Sequence, residues 1–142
     1  MRSTCKSMSH IFFFRSLLTQ HSGLGIGTTP SAFVKHGIDT TIVEIDPAVH
    51  EFAQKYFDLR ENNPAAVHDA VSYTADLVKQ SKTYDYIVHD VFTGGAEPVD
   101  LFTLEFLQGL GDLLNPDGVI AIVSPSVPVL WSSTNLATEL RW

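Results

Sequence analysis

With 142 residues, 15.7 kDa and 44% hydrophobic side chains, the chain has room for one domain with a real core, which excludes extended disorder and a multidomain arrangement. Sixteen acids against nine bases give a net charge of −7, which argues against a nucleic-acid backbone as the main partner, because phosphate binding needs a basic face. The single cysteine, Cys5, can form neither an internal disulfide nor a cysteine-based metal site, so a reduced compartment is expected.

Residues 1–38 carry Arg2, Lys6, Arg15 and Lys35 and no acid, whereas 39–117 carry fifteen acids and four bases. The acid-free, serine-containing start is similar to a mitochondrial transit peptide. The competing readings are a poorly ordered extension over 1–22 or an altered first strand, with a cytoplasmic location. The run Ile11–Phe14, ended by Arg15, is far below the roughly 20 apolar residues of a membrane span.

From Gly23 onward, short β-branched runs alternate with helical stretches, the signature of βαβ units around a parallel sheet. Gly23-Leu24-Gly25-Ile26-Gly27 opens the pattern. Thr28 and Thr29 can cap a helix with Pro30 in its first turn, and Gly37 can close it. Thr40–Glu44 reads as a strand. Asp46-Pro47 starts a second helix over about 47–57, with Val49, Phe52, Ala53 and Tyr56 on one buried face. A short strand, Ala66–Asp69, precedes a helix over 71–80. Tyr84–Asp90 is a strand apolar enough at its centre to be covered on both faces. A Gly94-Gly95 loop leads to a helix of about 98–114 with Leu101, Leu104, Leu107, Leu110 and Leu114 inward. Asn115-Pro116-Asp117-Gly118 is a turn before the strand Val119–Val123, and 124–142 read as an irregular tail.

Chemistry concentrates at the strand ends. Glycines 23, 25 and 27 let a ligand approach the backbone, and Glu44, at the end of the next strand, can accept both hydrogens of a ribose diol. A dinucleotide fingerprint wants a third glycine where Thr28 stands, so the loop suits a ligand without phosphate, such as S-adenosylmethionine. Asp69 can accept from an adenine amino group or cap the helix that follows. Asp90 ends the strand expected beside the first, facing the glycine loop across the topological switch point. There an anion can orient or deprotonate an incoming amine. Histidines 10, 21, 36, 50, 68 and 89 show no paired ligand spacing, so no metal is expected, and His89 reads as a packing residue.

Gly-Leu-Gly-Ile-Gly, Val-Glu-Ile-Asp-Pro at 43–47, Tyr-Phe-Asp-Leu at 56–59, His-Asp-Ala at 68–70 and Tyr-Asp-Tyr-Ile-Val-His-Asp-Val-Phe at 84–92 together resemble the spermidine/spermine synthase-like branch of the class I S-adenosylmethionine-dependent transferases. The resemblance implies a doubly wound, mostly parallel α/β sheet of the Rossmann-like methyltransferase type. It implies that Gly23, Gly25 and Gly27 line the cofactor, that Glu44 holds its ribose, that Ile45 is a further cofactor-binding residue, that Asp69 and Ala70 hold its adenine, and that Asp90 faces the acceptor. The aminopropyltransferase pattern has an acid where Ile26 stands and a second acid after the fourth strand, where Thr93 stands, so the chain looks more like the methyltransferase-like members. The expectation is a cofactor-binding core over 23–123, short at both ends for this fold, using S-adenosylmethionine or its decarboxylated form with a small or amine-like acceptor. A homodimer is one open assembly. The alternatives are a catalytically silent scaffold of the same fold and an NAD-dependent dehydrogenase.

Overall fold

A computed structural model describes residues 17–91 and 98–123 together with the backbone of 129–132. The expected extension before residue 17, the Gly94-Gly95 loop and the rest of the tail lie outside the described residues. Six strands form one sheet in the order β3-β2-β1-β4-β5-β6: β1 (Leu18–Ser22), β2 (Asp39–Glu44), β3 (Ala66–Val67), β4 (Tyr84–Asp90), β5 (Leu114–Val123) and β6 (Val129–Ser132). The first five are parallel and β6 runs antiparallel to β5. Helices α1 (Thr28–Lys35), α2 (Pro47–Phe57), α3 (Ala70–Lys79) and α4 (Leu104–Asp112) connect them. The chain crosses from edge strand β3 back to β4, which leaves the carboxyl ends of β1 and β4 side by side at the switch point.

Local chemistry sets many of these boundaries. Gly37, at φ 75°, ends α1: its N–H donates to the Val34 carbonyl and that of Ile38 to Phe33, a left-handed cap that glycine adopts without a Cβ penalty. Asp46 caps α2, accepting from the Ala48 N–H at 2.8 Å, with Pro47 at the first helical position. Tyr84 pairs with Leu114 and Tyr86 with Val119, so two steps on β4 face five on β5 and the Asn115–Gly118 turn is looped out within β5.

The structure differs from the sequence expectations in several places. Residues 18–22, read from the sequence as part of a poorly ordered extension or an altered first strand, form β1 at the centre of the sheet, bonded to β2 on one side and β4 on the other. Ladder pairing on both edges overrides the poor strand propensity of Thr-Gln-His-Ser. The tail read as irregular contains β6, which pairs with β5 from Val119 to Ile122. The α1 cap is Gly27 rather than a threonine hydroxyl.

The helix expected over 98–114 is divided. A 3₁₀ turn covers Val99–Phe102, and Thr103 then caps α4, its Oγ1 accepting from the Phe106 N–H at 3.3 Å. Restarting the helix there rotates its inner face, so Phe106 joins Leu107 and Leu110 in the core while Leu104 is exposed. That core also takes Leu77, Ile87, Leu113 and Ile120. A smaller cluster of Leu24, Ile42 and Ala53 sits under α2. The expected inner face of α2 is correct only at Ala53 and in part Val49. Phe52 and Tyr56 are 55% and 63% exposed, because the flank of α2 beside two-residue β3 has little sheet beneath it.

Candidate functional site

The glycine loop is built by the meeting of β1 and β4. Gly23 has φ 84°, and a Cβ there would lie 2.1 Å from the Asp90 carbonyl oxygen, so no other residue lets the two strand ends approach this closely. Its N–H donates to the Val43 carbonyl at 3.0 Å, and that of Gly27 to Leu24 at 2.9 Å. A Cβ on Gly25 would meet nothing within 4 Å, since this residue faces open space.

Glu44 is buried at the end of β2. Its Oε2 accepts from the Leu24 N–H at 2.8 Å and its Oε1 from the Asp46 N–H at 2.9 Å, so the carboxylate ties the glycine loop to the start of α2. Each carboxylate oxygen can accept more than one hydrogen bond, so both can serve a ligand while holding the loop. Asp69 caps α3, accepting at Oδ2 from the Ser72 N–H at 2.9 Å and the Ser72 hydroxyl at 2.8 Å. The Ser72 backbone amide first, then its hydroxyl, hold the Asp69 carboxyl below the usual range.

Asp90 ends β4 between two buried imidazoles. His89 points to the other side of the strand, packed 5.3 Å from each of the Phe102 and Phe106 rings, and its Nε2–H donates to the Leu101 carbonyl at 3.1 Å. Burial, above all, pushes the His89 ring down to about 4, against the opposing pull of Leu101 and Asp90. His21 on β1 is 2% exposed, with both of its ring nitrogens buried. Burial lowers its pKa as well, with Asp90 and the Gly23 backbone acting in the opposite sense.

All the sequence-predicted positions come together. Gly23, Gly25 and Gly27 floor a cavity of about 460 Å³, Glu44 and Ile45 form one wall, Asp69 and Ala70 close one end, and Asp90 stands at the other. Sequence reasoning missed His21, Val49 and Leu101 as further lining residues. For His21 the available signal was its place two residues before Gly23 in a strand with no other reason to be polar. Among the described residues, no group of three or more His, Cys, Asp or Glu side chains could hold a metal ion, and no helix is long and apolar enough to cross a membrane.

The chain is similar to known proteins. Over 102 residues the chain is 64% identical to an N-terminal histidine N-methyltransferase of Emericella nidulans, covering 70% of the chain and 18% of that protein. It is 37% identical over 102 residues to a polyamine aminopropyltransferase of Vibrio vulnificus, covering 69% of the chain and 34% of that protein. The chain thus spans 18% and 34% of the length of these relatives. Among solved structures, human methyltransferase-like protein 13 in complex with SAH superposes with a TM-score of 0.69 at 27% identity, covering 75% of the chain and 54% of that structure. Residues 23–138 match the spermine/spermidine synthase domain, and the chain belongs to that family.

Proposed function

We propose that the chain binds S-adenosylmethionine in this cavity and directs its methyl group to an amine-like acceptor beside Asp90. The observation that carries this reading is the order of groups along the cavity. Asp69 and Ala70 follow β3, Glu44 ends β2, the glycine loop follows β1, and Asp90 ends β4. Adenine, ribose, sulfur and acceptor would meet these groups in that sequence.

The residues fit such a ligand. Gly25 leaves open space where any side chain would intrude, and the cavity volume lies in the usual small-molecule range of about 300–1,000 Å³. Glu44 would accept from the ribose hydroxyls, with Ile45 and Val49 offering apolar contact. The bound cofactor supplies a methyl carbon on a sulfonium, open to in-line displacement. The chain's contribution is alignment, with the Asp90 carboxylate orienting a neutral amine and taking up the proton that the nitrogen sheds. Ile26, standing where the aminopropyltransferase pattern has an acid, favours methyl over aminopropyl transfer, as does the greater identity to a methyltransferase.

Calorimetric titration with S-adenosylmethionine and its decarboxylated form tests this. Heat with the first is expected, and no heat with either overturns the reading. Glu44→Ala should weaken binding by about 1–3 kcal/mol, the cost of losing a charged hydrogen-bond partner. Unchanged affinity removes Glu44 from the ribose site.

A further inference from the structure

Ile87 and His89 share one face of β4 and are paired with Ile120 and Ile122 of β5. Three of these four side chains are isoleucines of the larger core, and the fourth is an imidazole that is 0% exposed. An apolar side chain would fill the space beside the Phe102 and Phe106 rings without taking polar nitrogens out of water. What the imidazole adds is one directed bond, from Nε2–H to the Leu101 carbonyl at 3.1 Å. A carbonyl only accepts, so this bond fixes the tautomer of the ring.

The bond falls where the helical ladder is interrupted. Thr103 is extended at ψ 151°, and α4 starts there, with the Thr103 carbonyl accepting from the Leu107 N–H at 3.0 Å. The Leu101 carbonyl lies outside that ladder, in the Val99–Phe102 turn, and His89 ties it to β4. Two neighbours on one strand therefore serve the same cavity from opposite faces. Asp90 lines it directly, whereas His89 holds the turn whose Leu101 is part of its wall.

We propose that His89 is a positioning residue: its ring fixes the Val99–Phe102 turn against the end of β4 and so sets where the Leu101 side chain meets the bound ligand. This rests on the cofactor reading above. The probe is S-adenosylhomocysteine, titrated by calorimetry into the whole chain. His89→Ile, which fills the core but donates nothing, should weaken binding about threefold to tenfold, the scale of one hydrogen bond's net contribution. His89→Gln, whose amide N–H can reach the same carbonyl, should recover much of that loss. Leu101→Ala keeps the carbonyl and removes the wall, so in that background His89→Ile should change affinity less than about twofold. A ring that merely packs would give the same loss in both backgrounds and no recovery with glutamine. In the parent itself, the ring nitrogen resonances near neutral pH should show the Nε2–H tautomer, a readout that needs no variant to fold. If the parent holds the Nδ1–H tautomer, if His89→Ile binds as the parent does, if its loss is the same in both backgrounds, or if His89→Gln is no better than His89→Ile, the proposal is overturned while the cofactor site stands. If the parent binds no S-adenosylhomocysteine, both fall.

Discussion

Strand β1 and helix α2 reverse the usual relation between residue chemistry and burial. β1 reads Leu-Thr-Gln-His-Ser and is almost wholly inside: Thr19, Gln20, His21 and Ser22 are all buried, and side-chain atoms of each lack a hydrogen-bond partner among the described residues. α2 carries an apolar stripe at helical spacing, yet Phe52, Tyr56 and Phe57 are largely exposed. The Phe52 and Tyr56 rings meet edge to face at 5.8 Å, and the Lys55 ammonium lies 5.2 Å from the Tyr56 ring centre. Burial here follows position in the sheet. The middle strand β1 is enclosed whatever its side chains, whereas a helix beside the edge strand has only part of a surface to cover it.

On the side of β1, this contrast can be broken most strongly at Gln20. Its side-chain amide is fully buried with neither nitrogen nor oxygen paired, so Gln20→Leu should raise stability by about 1–3 kcal/mol, the burden of an unsatisfied polar group. Thermal unfolding checks this, and a lowered midpoint would show that the polar strand is satisfied in a way the contrast omits. A second effect comes from pH. His89 and His21 have folded-state pKa values below the unfolded value of 6.5, chiefly through burial, so the unfolded chain binds more protons below pH 6.5, down to about 4 in the case of His89. Their contribution is complete above pH 6.5 and is lost as pH falls, at up to about 1.4 kcal/mol per pH unit for each ring. The depressed carboxyls of Asp69 and Asp76 act below their ordinary value of 3.8, so urea midpoints compared at pH 7.5 and 5 isolate the histidines. Equal midpoints would remove them from the balance. The smallest effect belongs to α2: Phe52→Ser should cost under about 0.5 kcal/mol, as for exposed sites generally, while Ile42→Ala in the adjoining core should cost about 2–5 kcal/mol. Similar losses for the two would mean that Phe52 is covered in solution.

The elements most legible in the sequence were those fixed by their own residues. Tyr84–Asp90 is a strand with the bounds its apolar centre indicates. Asp46-Pro47 starts α2 through a side-chain cap and a pre-set φ, and Gly37 ends α1 because a left-handed residue is needed there. Every predicted site position lines the same cavity, since glycines and carboxylates at strand ends declare themselves through spacing. Less legible were features that depend on what packs alongside. The break at Thr103 interrupts a continuous leucine pattern, because Thr103 satisfies the Phe106 amide with its hydroxyl and restarts the helix. For His21 the sequence offers only its place two residues before Gly23, because its neighbours in the cavity come from β4.

The sequence alone thus determined the alternation of elements, the glycine loop, and the acids at the ends of successive strands, all of which depend on local backbone preference and period. Only the tertiary structure decided that Thr-Gln-His-Ser is the central strand, that α2 keeps aromatic rings in water, and that Gly23 abuts the Asp90 backbone with His21 beside it. These are consequences of strand order. The chain returns from β3 to β4 across β1, and that crossing brings together residues more than sixty positions apart that no local preference could join.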